Sequence, residues 1–206
     1  MLASVRAALR PPPEVPEVPR AYRGAGVQGV TGDSSTVDLF CERVADYQAT
    51  VKRVSGDELT DALQFACAQR GARRLAVPAQ APAWTVDDVE LVRDDPALSP
   101  RELDGLDGVL SGCALAIAET GTIVLDGAGP SGRRALTLVP DYHLCVVRAQ
   151  DIVLSVPDCV AALRPIAEDG RPITLVSGPS ATVDIELVRV NGVHGPRTLD
   201  VLVVES

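Results

Sequence analysis

Aromatic residues make up only 3% of this 206-residue chain, so its core must come from Val, Leu, Ala and Ile. An aliphatic core of that kind suits a parallel sheet covered by helices. Lysine is nearly missing: Lys52 stands alone beside eighteen arginines, outside every candidate site loop. A Schiff-base mechanism or a pyridoxal cofactor is thereby disfavoured. Five cysteines, Cys41, Cys67, Cys113, Cys145 and Cys159, are scattered and never form a Cys-x-x-Cys pair. Iron–sulfur and zinc-ribbon spacings are therefore absent. The thiols read as reduced and buried, as in a cytoplasmic protein, and no metal or cofactor is expected. No apolar run approaches the ~20 residues of a membrane span, and the first ten residues lack a signal-peptide core. Neither a Gly-x-Ser-x-Gly elbow nor a Walker loop occurs. The formal charge of −9 argues against a nucleic-acid surface, which needs a clustered basic patch.

What is present organises into two parts, a Pro/Gly-rich arm over 1–34 and a single α/β domain over 35–206. Met1 to Arg10 can form a short helix, stopped by Pro11-Pro12-Pro13. Val37, Phe40, Val44, Tyr47 and Val51 recur at helical intervals, which predicts an amphipathic helix from Val37 to Val54 with Asp33, Ser34 or Ser35 as N-cap. A second helix runs from Asp57 to Gln69 and closes at Gly71. Strands are then expected at Arg74–Val77, Val89–Val92, Thr122–Leu125, Ala135–Val139, Tyr142–Val147 and Ile173–Val176. Short helices fit Ala81–Trp84 and Pro100–Leu106, and Asp158 can cap a helix through Leu163. This alternation implies a mostly parallel α/β sheet, with an antiparallel excursion between Thr122 and Val147.

Three loops could carry chemistry. Ala118-Glu119-Thr120-Gly121-Thr122 places a carboxylate and two hydroxyls at a strand end, where α/β sheets contact ligands; a tight turn with a capping acid fits it equally. Ser177-Gly178-Pro179-Ser180 follows a strand, and either serine could cap a following helix whose N–H groups favour an anion; an ordinary cap is the slightly better fit. In Gly192-Val193-His194-Gly195-Pro196-Arg197 the histidine is flanked by glycines and the arginine offers a planar fork to a carboxylate or phosphate. His143 reads as a strand residue satisfied by a neighbour such as Asp141. The Gly127–Arg134 run reads as too loose for a dinucleotide fingerprint, without the Gly-x-Gly-x-x-Gly spacing ahead of a helix, and so as a hairpin loop or flap.

Taken together, Ala116-Ile117-Ala118-Glu119-Thr120-Gly121-Thr122-Ile123-Val124-Leu125, Val139-Pro140-Asp141-Tyr142-His143, Ser177–Glu186 and Gly192–Arg197 resemble, in the same order, the lactate-utilisation protein C family, whose members carry the LUD domain. The resemblance spans Val109 to Glu205. It departs from the family at Ala181, where a basic residue is common, at Val183, where alanine is usual, and at Ser111-Gly112-Cys113. The missing basic side chain at 181 would weaken an anion site in that loop.

The resemblance implies a three-layer α/β sandwich with a mainly parallel sheet, similar to ribose-5-phosphate isomerase, glucosamine-6-phosphate deaminase and the CoA transferases. It also implies an accessory ligand-binding subunit, without clusters of its own, beside iron–sulfur proteins that oxidise L-lactate to pyruvate. The alternative is a stand-alone enzyme of isomerase, transferase or cyclo-ligase type acting on a phosphorylated or carboxylated metabolite. In either case Glu119 and His194 are the candidate acid/base groups. Thr120, Gly121, Thr122, Ser177, Gly178, Ser180 and Arg197 are the candidate ligand contacts.

Overall fold

The structure, a computed structural model, describes residues 2–8, 17–26, 32–182, 190–191 and 195–205. Helix α1 spans Leu2–Ala8 and buries none of its residues. Helix α2, Ser34–Asp46, starts where the Asp33 side chain accepts the Thr36 N–H. Val37, Phe40 and Val44 are its buried stripe. The helix stops eight residues before the expected Val54 end. Gln48 turns the chain at φ 67°, and Thr50–Ser55 becomes strand β1. Val51 keeps the helical interval by coincidence, whereas the β-branched run Thr50-Val51 favours a strand.

Helix α3, Leu59–Arg70, is closed by Gly71 in the left-handed region, as its position after the last helical residue requires. There follow β2 (Arg74–Val77), β3 (Glu90–Arg93), α4 (Pro100–Asp104), β4 (Gly108–Ser111), β5 (Leu115–Ile117) and β6 (Thr122–Leu125). After β7 (Tyr142–Arg148) and β8 (Ile152–Val153) comes α5 (Val156–Glu168), then β9 (Thr174–Val176). Two-residue strands β10 (Ala181–Thr182) and β11 (Val190–Asn191) precede β12 (Thr198–Glu205). The expected helix at Ala81–Trp84 is irregular chain. The expected strand at Ala135–Val139 is instead a 3-10 turn over Arg134–Thr137, whose Leu136 is buried against Val109 and Leu103. Ser155, not Asp158, accepts the capping N–H of α5.

Six strands form an all-parallel sheet in the order β1-β12-β7-β4-β2-β3, confirming the α/β class. Central β7 is buried on both faces, as a parallel sheet covered on each side demands. Cys145 and Val147 face a cluster with Phe40 of α2; Tyr142, Leu144 and Val146 face Leu63 of α3. Of the antiparallel excursion expected between Thr122 and Val147, only Thr122–Leu125 is antiparallel. It lies in a second sheet ordered β8-β5-β6-β9, antiparallel to both neighbours, while β7 is a parallel strand of the large sheet. Alternation along β6 sends Ile123 and Leu125 to the α2 cluster and Val124 to Cys159 and Leu163 of α5.

Candidate functional site

In an open parallel sheet, ligands enter where neighbouring strands send their connections opposite ways. Here that crevice lies between the carboxyl ends of β2 and β4, and it is filled by protein. The Gly127–Arg134 loop lies over it: Gly112 N–H donates to Pro130 O at 2.8 Å. Gly132 leaves room for the Pro78 and Leu136 side chains. Arg133 clamps Asp94 through Nε at 2.7 Å and Nη2 at 2.9 Å. The run Gly127-Ala128-Gly129-Pro130-Ser131-Gly132 has dinucleotide-loop spacing, yet only short 3-10 turns follow it. No α-helix start faces an anion there.

The sequence motifs gather elsewhere, near the carboxyl-terminal turn of α2. Because β6 runs antiparallel to β9, the turn entering β6 lies beside the loop leaving β9. Thr120 Oγ1 and Thr122 Oγ1 are 2.7 Å apart, and Thr122 Oγ1 and Ser177 Oγ are also 2.7 Å apart. Thr122 Oγ1 also donates to Thr120 O at 3.4 Å, so the three hydroxyls can spend all three protons on one another and on that carbonyl. The Ser180 N–H donates to Pro196 O at 2.8 Å, which joins the third loop to the second. Arg197 then directs Nε to Asp141 Oδ1 at 2.7 Å, and this guanidinium holds the Asp141 carboxyl below the usual range. Both residues precede strands, β12 and β7. Arg197 therefore sits at the amino end of the large sheet, whereas ligands of open α/β sheets bind beyond the carboxyl ends.

Two expectations change in meaning. Gly121 has φ 56°, and a Cβ there would lie 2.6 Å from the Arg43 carbonyl carbon. Gly178 has φ 130°, with its would-be Cβ 2.7 Å from Tyr47 Cβ. Both glycines let their loops dock on the end of α2, so close packing accounts for them without a ligand. The Ser177–Ser180 loop leads into β10, which pairs antiparallel with β11, and not into a helix. An anion site at a helix start is therefore not built there. His194 lies outside the described residues, as do Gly192, Val193 and 183–189.

Glu119 turns away from the hydroxyls. Its N–H donates to Leu154 O, and both carboxylate oxygens accept from Arg23, each at 2.6 Å. The Arg23 hydrogen bond, with help from the Val156 amide in the first turn of α5, pulls the Glu119 carboxyl below its ordinary value. A carboxylate so held is poorly placed to take a proton near neutrality. It resembles the capping acid that the sequence also allowed.

His143 is a strand residue satisfied by a neighbour, as expected, but the neighbour differs. His143, 1% exposed, meets Ser111 Oγ through Nε2 at 2.8 Å, so its partner is Ser111 and not Asp141. Ser111 pairs with Cys145 in the sheet register and also donates to Gly112 O at 3.0 Å. The Ser111-Gly112-Cys113 departure noted above was the available signal. All five thiols are free. Among the described residues, no group of three His, Cys, Asp or Glu side chains could hold a metal ion. Nor is any described helix long and apolar enough to cross a membrane.

A parallel α/β sheet and a second mixed sheet, with two Gly-containing loops docked on the end of α2 and a third bonded to one of them, define the class of protein. The model of the LUD domain matches residues 37–204, and the chain belongs to the LUD domain family. It is 53% identical over 166 residues to the lactate utilization protein C of Deinococcus radiodurans, covering 80% of this chain and 77% of that one. The lactate utilization protein C of Shouchella clausii is 32% identical over 95 residues, 45% of this chain and 41% of the relative. Among solved structures, a DUF162 family protein from Deinococcus radiodurans superimposes with a TM-score of 0.73 at 42% identity. That match covers 85% of this chain and 99% of the other.

Proposed function

We propose that this chain serves lactate utilisation as an accessory, ligand-binding subunit, in the cytoplasm, beside iron–sulfur proteins that carry the electrons from L-lactate oxidation. The relatives' names support the process. The observation that carries the ligand role is the junction of three motif loops through Thr122–Ser177 and Ser180–Pro196. Thr120, Thr122, Ser177 and Ser180 supply short polar contacts there. Arg197 supplies a charged fork, and His194 belongs to the same third loop. A small carboxylate is the ligand class proposed, because hydroxyls donate to a single negative group and a guanidinium released from Asp141 could pair with it. In this reading the arm, 1–34, precedes a single domain, 35–206.

The stand-alone enzyme reading needs Glu119 as an acid or base, and its engagement with Arg23 speaks for the accessory role. Growth decides between them. A strain lacking this chain should grow poorly on L-lactate and normally on pyruvate, and the wild-type chain should restore it. Complementation by Arg197→Ala should be reduced, because losing a charge-assisted contact to a ligand costs about 1.5–3 kcal/mol of binding. Normal lactate growth of the deletion strain, with no second copy of such a protein, would sink the reading. Purification from lactate-grown cells tests the partners: clusters should co-elute, and their absence from the eluate under gentle conditions counts against an accessory subunit.

A further inference from the structure

Residues 17–26 run across the surface with every side chain exposed. None of them enters a buried cluster, so apolar burial does not hold this segment. Two polar anchors do. Arg23 sends Nη1 and Nη2 in parallel to the two oxygens of Glu119, the fork geometry that suits arginine and a carboxylate. Three residues on, Gly26 N–H donates to Asp158 Oδ1 at 2.5 Å. The chain is fixed again at Gly32, whose N–H donates to Ile152 O at 3.1 Å. A Cβ at Gly32 would stand 3.0 Å from Ala149 O, so glycine permits the close approach.

The two acceptors belong together. Glu119 takes the Val156 amide as well as Arg23, and Asp158 is bonded to Ser155, the N-cap of α5. Both carboxylates thus stand at the start of α5, and the arm crosses them. We propose that residues 17–26 are a liftable strap that masks Glu119, with the Arg23 guanidinium in the place a cationic or hydrogen-bond-donating group of a ligand or partner would take. The strap itself stands on this geometry; its bearing on ligand access rests on the functional reading of the Glu119 turn.

The strap is weak by construction. An exposed ion pair contributes little, while holding extended backbone in one conformation costs entropy at every residue. Segments of that kind occupy the low end of local stability and open before the core does. Lifting it removes no core contact, so the domain underneath stays folded.

The test uses the full chain, its Arg23→Ala and Arg23→Lys variants, and the pair Arg23→Glu with Glu119→Arg. Hydrogen exchange reads the Gly26 amide. Labelling with a water-soluble carbodiimide and glycine ethyl ester, followed by peptide mass analysis, reads how open the Glu119 carboxylate is. In Arg23→Ala, Gly26 exchange and Glu119 labelling should both rise about two- to fivefold, the range an exposed pair can supply, while labelling of exposed Glu42 stays constant. Arg23→Lys should fall between, lacking the fork, and the reversed pair should restore Gly26 protection. The strap is refuted if wild-type Glu119 is labelled as fast as Glu42, or if Arg23→Ala changes neither readout. None of these measurements involves lactate, so a failed growth test leaves them standing.

Discussion

The hydroxyl oxygens of Thr122 and Ser177 are 2.7 Å apart although 55 positions separate them in the chain. That bond ties the turn before β6 to the loop after β9, and both loops rest on the same end of α2. Thr122 is 4% exposed, so its hydroxyl depends on protein partners for satisfaction. Ser177→Ala should cost about 1 kcal/mol and Thr122→Val about 1–2 kcal/mol in urea unfolding. The double variant should lose less than the two losses added, by about 0.5–1 kcal/mol. Full additivity would show that the two hydroxyls do not support one another.

Gly121 and Gly129 separate packing from backbone strain. Both have positive φ, but a side chain at Gly121 meets backbone atoms of Arg43 and Val44, whereas nothing lies within 4 Å of one at Gly129. Gly129→Ala should lower stability by about 1 kcal/mol, the left-handed penalty alone. Gly121→Ala should lower it by about 2–4 kcal/mol, because α2 must move. Equal losses at the two sites, measured by thermal or urea unfolding, would overturn the docking account of Gly121.

Asp200, buried in β12, receives Arg70 Nε and Nη2 and the Tyr142 hydroxyl at 3.0, 2.6 and 3.0 Å. Arg70→Ala leaves that carboxylate with one partner and should cost about 2–3 kcal/mol, below the fully buried range because Arg70 is partly solvated. Burial, then the neighbouring Asp200 charge, pushes the Tyr142 phenol well above its usual range. The folded state therefore holds this proton more tightly than the unfolded state. Its contribution to stability is complete below ~10, the unfolded value, and is lost as pH rises beyond it. An alkaline absorbance titration should show one phenol ionising late, together with unfolding, and Tyr142→Phe should abolish that step.

Burial pushes the Cys67 and Cys159 thiols up to about 11, which leaves almost no thiolate at neutral pH. A maleimide added to native protein at pH 7 should label Cys41, the one half-buried thiol, ahead of those two. Denaturant should then release all of them. Rapid native labelling of Cys67 or Cys159 would contradict the packing around α3 and α5.

The large-sheet strands at Arg74–Val77, Val89–Val92 and Tyr142–Val147 could be read from the chain because they are short aliphatic runs between turn residues; β1 falls inside an expected helix, and β4 is not among the expected strands. Cys67-to-Gly71 and Asp33 gave two helix ends for local reasons, a left-handed glycine and a side-chain cap. The missed elements have tertiary causes. Val51 satisfies a helical interval and a strand pattern alike, and only its pairing with Val201 decides. Ala135–Val139 alternates like a strand but folds as a turn that drives Leu136 into the core. At the site, the three loops could be named from the sequence, but their junction depends on β6 pairing antiparallel with β9 and on the Ser180–Pro196 bond. The occupation of Glu119 by Arg23 could not be read either, since nothing in Ala21-Tyr22-Arg23-Gly24 marks a partner nearly a hundred residues away.

Strand β12 has a consequence for how the chain becomes a protein. Thr50–Ser55 pairs with Asp200–Glu205, and Thr198–Val204 pairs with Tyr142–Arg148. The earliest strand of the large sheet thus reaches the rest of it only through the latest one. During synthesis β1 has no partner until almost the whole chain has left the ribosome, and its unpaired edge must wait on α2 and α3 alone. Closure of so long a loop makes assembly slow relative to a helical protein of this length. A ribosome stalled inside the 195–205 segment would hold a chain whose edge strand is present, exposed and still outside its sheet.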